Sequence, residues 1–359
     1  MSRWNYLLRR IALAIPVVIF ATTMTFLIIR AGPQDPVLAI LGPQSGTQAY
    51  HDIAVDLGIE RRVNGEFVAV PLWEQYIDFV GSLFTGDFGQ SWVIQRGAPV
   101  TDIIVARAPA TIWLGFWSVI VALFIGIPLG FYAGLNPNTG GDYAASFFGI
   151  VWRAMPNFWL AVMLLATLAN SQQLFGFSWQ NLFIDTPVVL AGGAMELSFM
   201  YDPGLFIREP GQTLEQVAAA FKMVLPGALV LGSASMGNEM RIGRTAVLEA
   251  KNSNYVETAK AKGLHGRTIV WKHIFRNALI PLVPIITGEV FLLIGGSVLV
   301  EQVFVINGLG RLYFQAATNG DLPLIGSLTF FFIVITLSVN ILQDVLYTLI
   351  DPRVGYEGE

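Results

Sequence analysis

Six long apolar runs constrain this 359-residue chain more than any other feature of its sequence. A helix needs about 20 apolar residues to cross the ~30 Å hydrocarbon core of a bilayer, and each run has close to that length. Charged residues make up only 13% of the chain, whereas soluble domains carry about 25%. The sequence therefore predicts an all-α integral membrane protein with six transmembrane helices. The runs lie at 11–29, 110–133, 143–168, 223–240, 282–303 and 324–349.

Lysine and arginine are distributed unevenly between the segments that join these runs. They are concentrated near the N-terminus, between residues 241 and 276, and at Arg353. In a six-span topology all three places fall on one side, and basic residues favour the cytosolic side. We therefore expect both termini in the cytosol. The expected divisions are 1–30 for the N-terminus and first span, 31–101 for an extracytoplasmic loop domain, 102–350 for a five-span core with a cytosolic loop at 243–281, and 351–359 for the tail.

The segment 31–101 is too long for a simple connection and has features of a folded loop. Turns are predicted at Gly86, Asp87 and Gly89. Two interpretations remain open: the loop caps the helix bundle, or it is a docking surface for an extracytoplasmic partner. Its aromatic residues, spaced as if they pack together, are Trp73, Tyr76, Phe79, Phe84, Phe88 and Trp92.

Residue types that carry catalysis or bind metals are sparse in the sequence. The chain has no cysteine, and its histidines, His51, His265 and His273, form no metal-ligand pattern. None of the lysines precedes a serine or threonine, which excludes a phosphate-binding loop of the Walker type. We therefore expect no catalytic residue, no metal, no cofactor in this chain and no nucleic-acid partner.

A short polar segment, 254–263, lies between the fourth and fifth runs. Asn254 and Glu257 have the spacing of a capping box, and Gly263 is typical of a helix end. The helix predicted between them, Tyr255–Lys262, is roughly 12 Å long and too short to be stable alone. We expect Ala259 and Gly263, at i and i+4, to allow close approach to a surface. The segment is either an ordinary basic loop helix or a docking helix.

Several motifs resemble those of ABC importer permeases. The EAA loop of these permeases is similar to Glu257–Ala259 with Gly263, followed by Arg276–Pro281. The longer sequences 255–264 and 273–281 resemble those of the dipeptide/oligopeptide subfamily. Thr258 replaces the first alanine of the triplet, and the spacing from Gly263 to Pro281 exceeds that of importers in general. The resemblance covers nearly the whole chain. The long first outer loop is similar to that of the first of the two permease paralogues that such systems encode. Further matching motifs are Gly32–Pro36, Gly86–Ser91, Glu301–Phe304, Gly308–Arg311 and Asp351–Arg353.

The resemblance implies a MetI-like permease fold and a role in an ATP-driven importer of peptides or a related solute. The expected partners are a second homologous permease, two cytosolic ATPase subunits that hold ATP and Mg, an extracytoplasmic substrate-binding protein, and membrane lipid. The residues implied in ATPase coupling are Tyr255, Glu257, Thr258, Ala259, Lys260, Gly263, Asn277 and Pro281. Those implied in docking the binding protein are Asp87, Gly89, Gly308 and Arg311. The acidic outer loops suggest a salt-loving archaeal source.

Polar residues inside apolar runs are candidates for the translocation pathway, because they are costly in lipid. Arg153 and Glu289 lie about 15 Å and about 12 Å from the cytosolic ends of their runs. Their similar depth predicts that they pair or that both line the cavity. They either form a structural salt bridge that orders the bundle or bind a peptide terminus or a polar sugar. Asn157, Ser297 and Asn340 are further candidates that serve equally well as helix–helix hydrogen-bond partners. The alternative to an importer subunit is a stand-alone secondary transporter or channel. A secondary transporter would be expected to have inverted repeats and ion-coupling carboxylates at mid-membrane. No repeat is evident in the sequence, and Glu289 is the only carboxylate candidate.

Overall fold

A computed structural model describes residues 3–30, 35–41, 48–179, 195, 197–282, 285, 288 and 298–350. The chain divides into two compact units. The first comprises residues 1, 109–310 and 339–359, and the second comprises residues 2–108 and 311–338. Helices Val100–Val121, Leu309–Asn319 and Leu322–Ile350 contribute residues to both.

The second unit contains the first predicted span and the long loop that follows it. Its hairpin pairs Glu60 with Ala69 and Val63 with Glu66. Asn64 and Gly65 have positive φ angles of 52° and 91°, the conformation that a two-residue hairpin loop requires. This hairpin departs from the all-α prediction, although the Asn-Gly pair is its sequence signal. The elements are helices Arg3–Arg30, Pro36–Leu41 and Gln48–Asp56, strands Glu60–Val63 and Glu66–Ala69, and helix Leu72–Thr85.

Aromatic contacts hold helix Leu72–Thr85 against helix Arg3–Arg30. Phe26 is 3% exposed, and its ring centroid lies 5.3 Å from that of Tyr76 and 5.6 Å from that of Phe79. Phe88 packs against Phe330 and Phe331. The predicted aromatic packing is therefore confirmed for these residues, whereas Trp73 is 64% exposed and Phe84 is 72% exposed despite its edge contact with Phe330.

The fully buried carboxylate of Asp321 organises the loop that follows helix Leu72–Thr85. It accepts hydrogen bonds from the Ser91 hydroxyl at 2.5 Å and from the backbone N–H groups of Val93 and Ile94 at 3.0 and 2.9 Å. The N–H of Trp92 adds a longer contact of 3.3 Å. A cluster of donors around one carboxylate offsets the cost of burying its charge.

A second carboxylate, Asp35, begins helix Pro36–Leu41. Its Oδ1 accepts from the Val37 N–H at 2.8 Å, and its Oδ2 accepts from the Tyr50 hydroxyl at 2.8 Å. The hydrogen bond to Asp35, and then partial burial, raise the pKa of Tyr50 from 10.0 to about 12.

The 42-residue helix Pro210–Lys251, here called the long helix, is the centre of the first unit. At ~1.5 Å per residue it is roughly 63 Å long, about twice the thickness of a hydrocarbon core. Small residues let its neighbours approach, as the sequence predicted: a Cβ at Gly237 would lie 2.5 Å from the Gly149 carbonyl oxygen. Around it lie Ala122–Gly126 (a π-helix), Ile127–Leu135, Gly140–Ala154 and Asn157–Ala169.

The remaining elements of the first unit are short. Before the long helix come helices Ser171–Phe175, Ser198–Tyr201 and Leu205–Arg208. After it come helices Asn254–Ala261 and Gly266–Thr268, the π-helix Ile269–Phe275, helix Arg276–Ala278, the 3-10 turn Ile280–Leu282 and helix Val298–Val303.

Three helices in the described part of the chain are long and apolar enough to cross a membrane: Val100–Leu135, Pro210–Lys251 and Leu322–Val345. They contain the second and fourth predicted spans and most of the sixth. The third predicted span is a pair of helices, Gly140–Ala154 and Asn157–Ala169, bent by 102° at Pro156. The first is the apolar part, Ala12–Leu27, of helix Arg3–Arg30. Most of the fifth lies outside the described residues.

Candidate functional site

The polar segment forms the helix Asn254–Ala261, here called the module helix. Its N-cap is Ser253, and no side chain caps it, so the predicted capping box of Asn254 and Glu257 is wrong. The Ser253 hydroxyl instead donates to the Ala250 carbonyl at 2.6 Å. This bond ties the turn before the module helix to the last turn of the long helix.

The C-terminal end of the module helix has the predicted glycine stop. Gly263 has a φ of 71°, in the left-handed region that favours glycine. Its N–H bonds to the Lys260 carbonyl at 2.9 Å, and the N–H of Leu264 reaches back to the Ala259 carbonyl at 3.2 Å. This pair of bonds is the Schellman arrangement, and it fixes the direction in which the chain leaves the helix.

The module helix buries one narrow stripe. Val256 is fully buried and Ala259 is 4% exposed, whereas Gly263 is exposed and takes no part in the contact. The close approach expected of Ala259 and Gly263 is therefore made by Ala259 with Val256, at i and i+3. The stripe joins a cluster of buried residues that also contains Phe131, Ala246, Val247, Ala250, Ile269, Ile274, Ala278 and Leu282.

The other side of the module helix is open. Tyr255 is 42% exposed, and Glu257, Thr258 and Lys260 are also exposed. The Thr258 hydroxyl donates to the Asn254 carbonyl of its own helix at 2.9 Å. Of the two later predicted coupling residues, Asn277 is exposed and donates to the His273 carbonyl at 2.7 Å, and Pro281 is exposed on a 3-10 turn. The module helix is thus anchored by two buried side chains, and its other side chains are exposed to solvent.

An ion pair joins the long helix to helix Gly140–Ala154. Arg244 of the long helix donates through Nε and Nη2 to the two carboxylate oxygens of Asp142, at 2.6 and 2.8 Å. Asp142 is 1% exposed. Lys251 also donates to the Leu135 carbonyl at 2.8 Å. Sequence reasoning missed this pair because 102 residues separate its members and no local spacing relates them.

The pathway candidates are scattered. Arg153 is exposed, and its Nη1 lies 3.5 Å from Oδ1 of Asn238, close to the end of the fourth apolar run rather than at mid-depth. Asn157 is half-buried at the start of helix Asn157–Ala169, and Asn340 is exposed on helix Leu322–Ile350. Glu289 and Ser297 lie outside the described residues, so the pairing of Arg153 with Glu289 stays a prediction.

Two buried carboxylates were not recognised from the sequence as candidates. Glu239 of the long helix is fully buried, and a Cβ at Gly126 of the π-helix would lie 2.7 Å from its Oε2. Glu289 is therefore not the only acidic residue in the apolar runs. Glu301 is also fully buried and accepts from the Thr111 hydroxyl at 2.9 Å.

The docking candidates fall in different environments. Asp87 and Gly89 are exposed, and Oδ1 of Asp87 accepts from the Gly89 N–H at 3.1 Å. Arg311 is half-buried. Gly308 is buried, and a Cβ there would lie 2.5 Å from Oε2 of Glu301, so its position requires glycine for packing.

Comparison with known proteins relates the chain to transport systems. Residues 126–356 match the family described as binding-protein-dependent transport system inner membrane component, and residues 3–115 match the corresponding N-terminal family. Over 351 residues the chain is 31% identical to the oligopeptide transport system permease protein AppB of Bacillus subtilis, covering 98% of this chain and 99% of AppB. It is 32% identical to the dipeptide transport system permease protein DppB of Alkalihalophilus pseudofirmus and 30% identical to that of Escherichia coli, again over 98% of this chain and 99% of each relative.

Proposed function

The chain belongs to the family of binding-protein-dependent transport system inner membrane components, and we propose that it couples a peptide importer to its ATPase subunits through the module helix. It is a multi-pass membrane permease of the ABC transporter type, not an enzyme. Peptides are the substrate class that the names of its relatives support. Family membership removes the alternative of a stand-alone secondary transporter or channel.

The observation that carries the coupling proposal is the two-sided character of the module helix. Val256 and Ala259 attach it to a buried cluster that includes the long helix, while Tyr255, Glu257 and Lys260 are exposed. An eight-residue helix would be marginal in water without this attachment. A force applied to the exposed side is therefore transmitted to the long helix through the buried stripe.

The rest of the machinery follows from this assignment. ATP and Mg are held by two cytosolic ATPase subunits, and their association moves the module helix. A second, homologous permease supplies the other half of the pathway. The basic residues around the module support placing it, with both termini, in the cytosol. An extracytoplasmic binding protein docks on the opposite side, where the exposed Asp87 and Gly89 are candidates together with Arg311.

Cysteine cross-linking tests the coupling proposal directly, because the chain has no native cysteine. Thr258 and Thr245 are both exposed, and each donates its hydroxyl to the carbonyl four residues earlier, so they form a matched pair. In the assembled complex we expect Thr258→Cys to cross-link to an ATPase subunit through a short bifunctional thiol reagent. Thr245→Cys, on the long helix, should not.

A functional arm uses charge reversal in the reconstituted complex. Glu257→Arg should abolish transport and substrate-stimulated ATP hydrolysis, whereas Glu249→Arg, also at an exposed glutamate, should leave both intact. Equal effects of the two substitutions, or cross-linking from Thr245→Cys but not from Thr258→Cys, would show that the coupling surface has been placed on the wrong segment.

A further inference from the structure

Helix Leu72–Thr85 of the second unit, here called the loop helix, carries an exposed apolar stripe. Trp73, Ile77 and Phe84 are 64%, 59% and 72% exposed. At roughly 100° per residue, these three side chains fall within about 40° of one another around the helix axis. Such a stripe on the surface of a protein is typical of a site that contacts a partner or a membrane.

The rest of the loop helix divides into a packed sector and a polar sector. In the packed sector Leu83 is buried, and the ring of Phe79 lies against that of Phe26 in helix Arg3–Arg30. The polar sector includes Asp78 and Thr85, which are exposed. Each directly follows a member of the apolar stripe and is turned from it by about 100°. The loop helix therefore presents an apolar surface and a polar surface in different directions.

The loop helix meets two predicted spans where their own residues are apolar. The hydroxyl oxygen of Tyr76 lies 2.6 Å from that of Thr23, about 6 Å before the apolar part of the first span ends. The ring centroid of Phe84 lies 6.3 Å from that of Phe330, about 9 Å past the first residue of the sixth apolar run. A six-span topology places these two span ends on the same side of the membrane. The loop helix therefore lies at the level where each span enters hydrocarbon.

We propose that the loop helix lies in the extracytoplasmic interface of the membrane, with Trp73, Ile77 and Phe84 among lipid acyl chains. An interfacial helix sinks its apolar face about 5–10 Å into the boundary between headgroups and acyl chains, which is the level of its contacts with the two spans. Tryptophan is enriched at this boundary. The loop helix has no lysine or arginine, so burial of apolar surface holds it there. Only the side of the membrane rests on the proposed topology.

A soluble binding protein fits the stripe less well than lipid does. It would approach from the water, which the polar sector faces, and not from the level at which the loop helix meets the spans. Insertion into lipid also explains why Trp73 and Phe84 are exposed, whereas Tyr76, Phe79 and Phe88 of the same loop are packed. The inserted helix would hold the turn that follows it at the membrane surface.

Fluorescence quenching at single cysteines tests the proposal, because the chain has no native cysteine. Ile77→Cys and Phe84→Cys are labelled with a thiol-reactive, environment-sensitive fluorophore in the assembled complex in phosphatidylcholine bilayers. A phosphatidylcholine with a nitroxide near the headgroup end of its acyl chain should quench both labels, and aqueous iodide should lose its effect on them. The matched controls are the neighbouring Asp78→Cys and Thr85→Cys, whose labels should show the reverse preference.

Two results would overturn the proposal. Quenching by iodide as strong at residues 77 and 84 as at 78 and 85 would place the stripe in water. Shielding of both stripe labels from iodide and from the nitroxide lipid would show that a protein covers them. That protein would be the second permease if the shielding is present in the assembled complex, and the binding protein if it appears only when that protein is added. Trp73→Cys replaces either stripe variant that does not assemble.

Discussion

Val256→Ala should loosen the module helix without altering its exposed side. Val256 is fully buried, and apart from Ala259 the rest of the helix is exposed. Removing two methyl-sized groups costs about 1.6 kcal/mol in transfer free energy at ~0.8 kcal/mol each, and the cavity left behind raises this to about 2 kcal/mol. Since an eight-residue helix has little stability of its own, most of this cost should appear as undocking. The docked population should fall relative to the undocked one by about 30-fold.

Hydrogen exchange of the backbone amides in residues 256–264 of the reconstituted complex measures this effect. Those amides should exchange about 30-fold faster in Val256→Ala, while amides in the middle of the long helix should be unchanged. Coupled transport should fall in parallel with the loss of protection. Thr258→Ala is the control for the exchange measurement alone, because its hydroxyl bonds only within the module helix in the described structure.

Two outcomes would refute the reasoning. Unchanged exchange in residues 256–264 would mean that Val256 does not anchor the helix. Faster exchange with full coupled transport would mean that docking of the helix on the buried cluster is not needed to transmit force.

Four other perturbations test single features. Gly263→Ala should destabilise the end of the module helix by about 1–2 kcal/mol, because alanine is strained at a φ of 71°. Gly263→Asn should destabilise it less. Amide exchange at the helix end measures both effects. Asp321→Ala should leave the donors around its carboxylate without an acceptor, which should lower the free energy of unfolding by about 3 kcal/mol or more. Limited proteolysis at residues 89–100 should then become faster. Unchanged resistance to proteolysis would contradict this. Arg244→Ala should lower the free energy of unfolding by about 1.5–3 kcal/mol, because Asp142 loses its charged partner but keeps the Asn138 N–H. Arg244→Lys should lower it by less, and thermal unfolding measures both. The pKa of Tyr50 is raised to about 12 in the folded protein. Its contribution to the free energy of unfolding is therefore complete below about pH 10 and is lost as the pH rises towards 12. In Tyr50→Phe the free energy of unfolding should depend less on pH within that window.

The features that the sequence predicted well depend on local pattern. Apolar runs place the second, fourth and sixth spans because crossing a bilayer needs only length and composition. Gly263 ends the module helix because its φ is set by its nearest neighbours. The signal for the hairpin, the Asn64–Gly65 pair, is also local. The many apolar helical runs in the rest of the chain nevertheless favoured an all-α prediction.

Tertiary structure decided which side chains meet. Asp142 finds Arg244 across 102 residues, and Ser91 finds Asp321 across 230. Arg153 lies beside Asn238 at the end of an apolar run, although its depth in the sequence suggested the middle. No spacing rule relates residues so far apart, because their contact depends on how the helices bend and cross. The sequence by itself therefore determined the membrane class, the family and the position of the module helix, whereas only the packed structure showed that Val256 and Ala259 attach it and which face it leaves open.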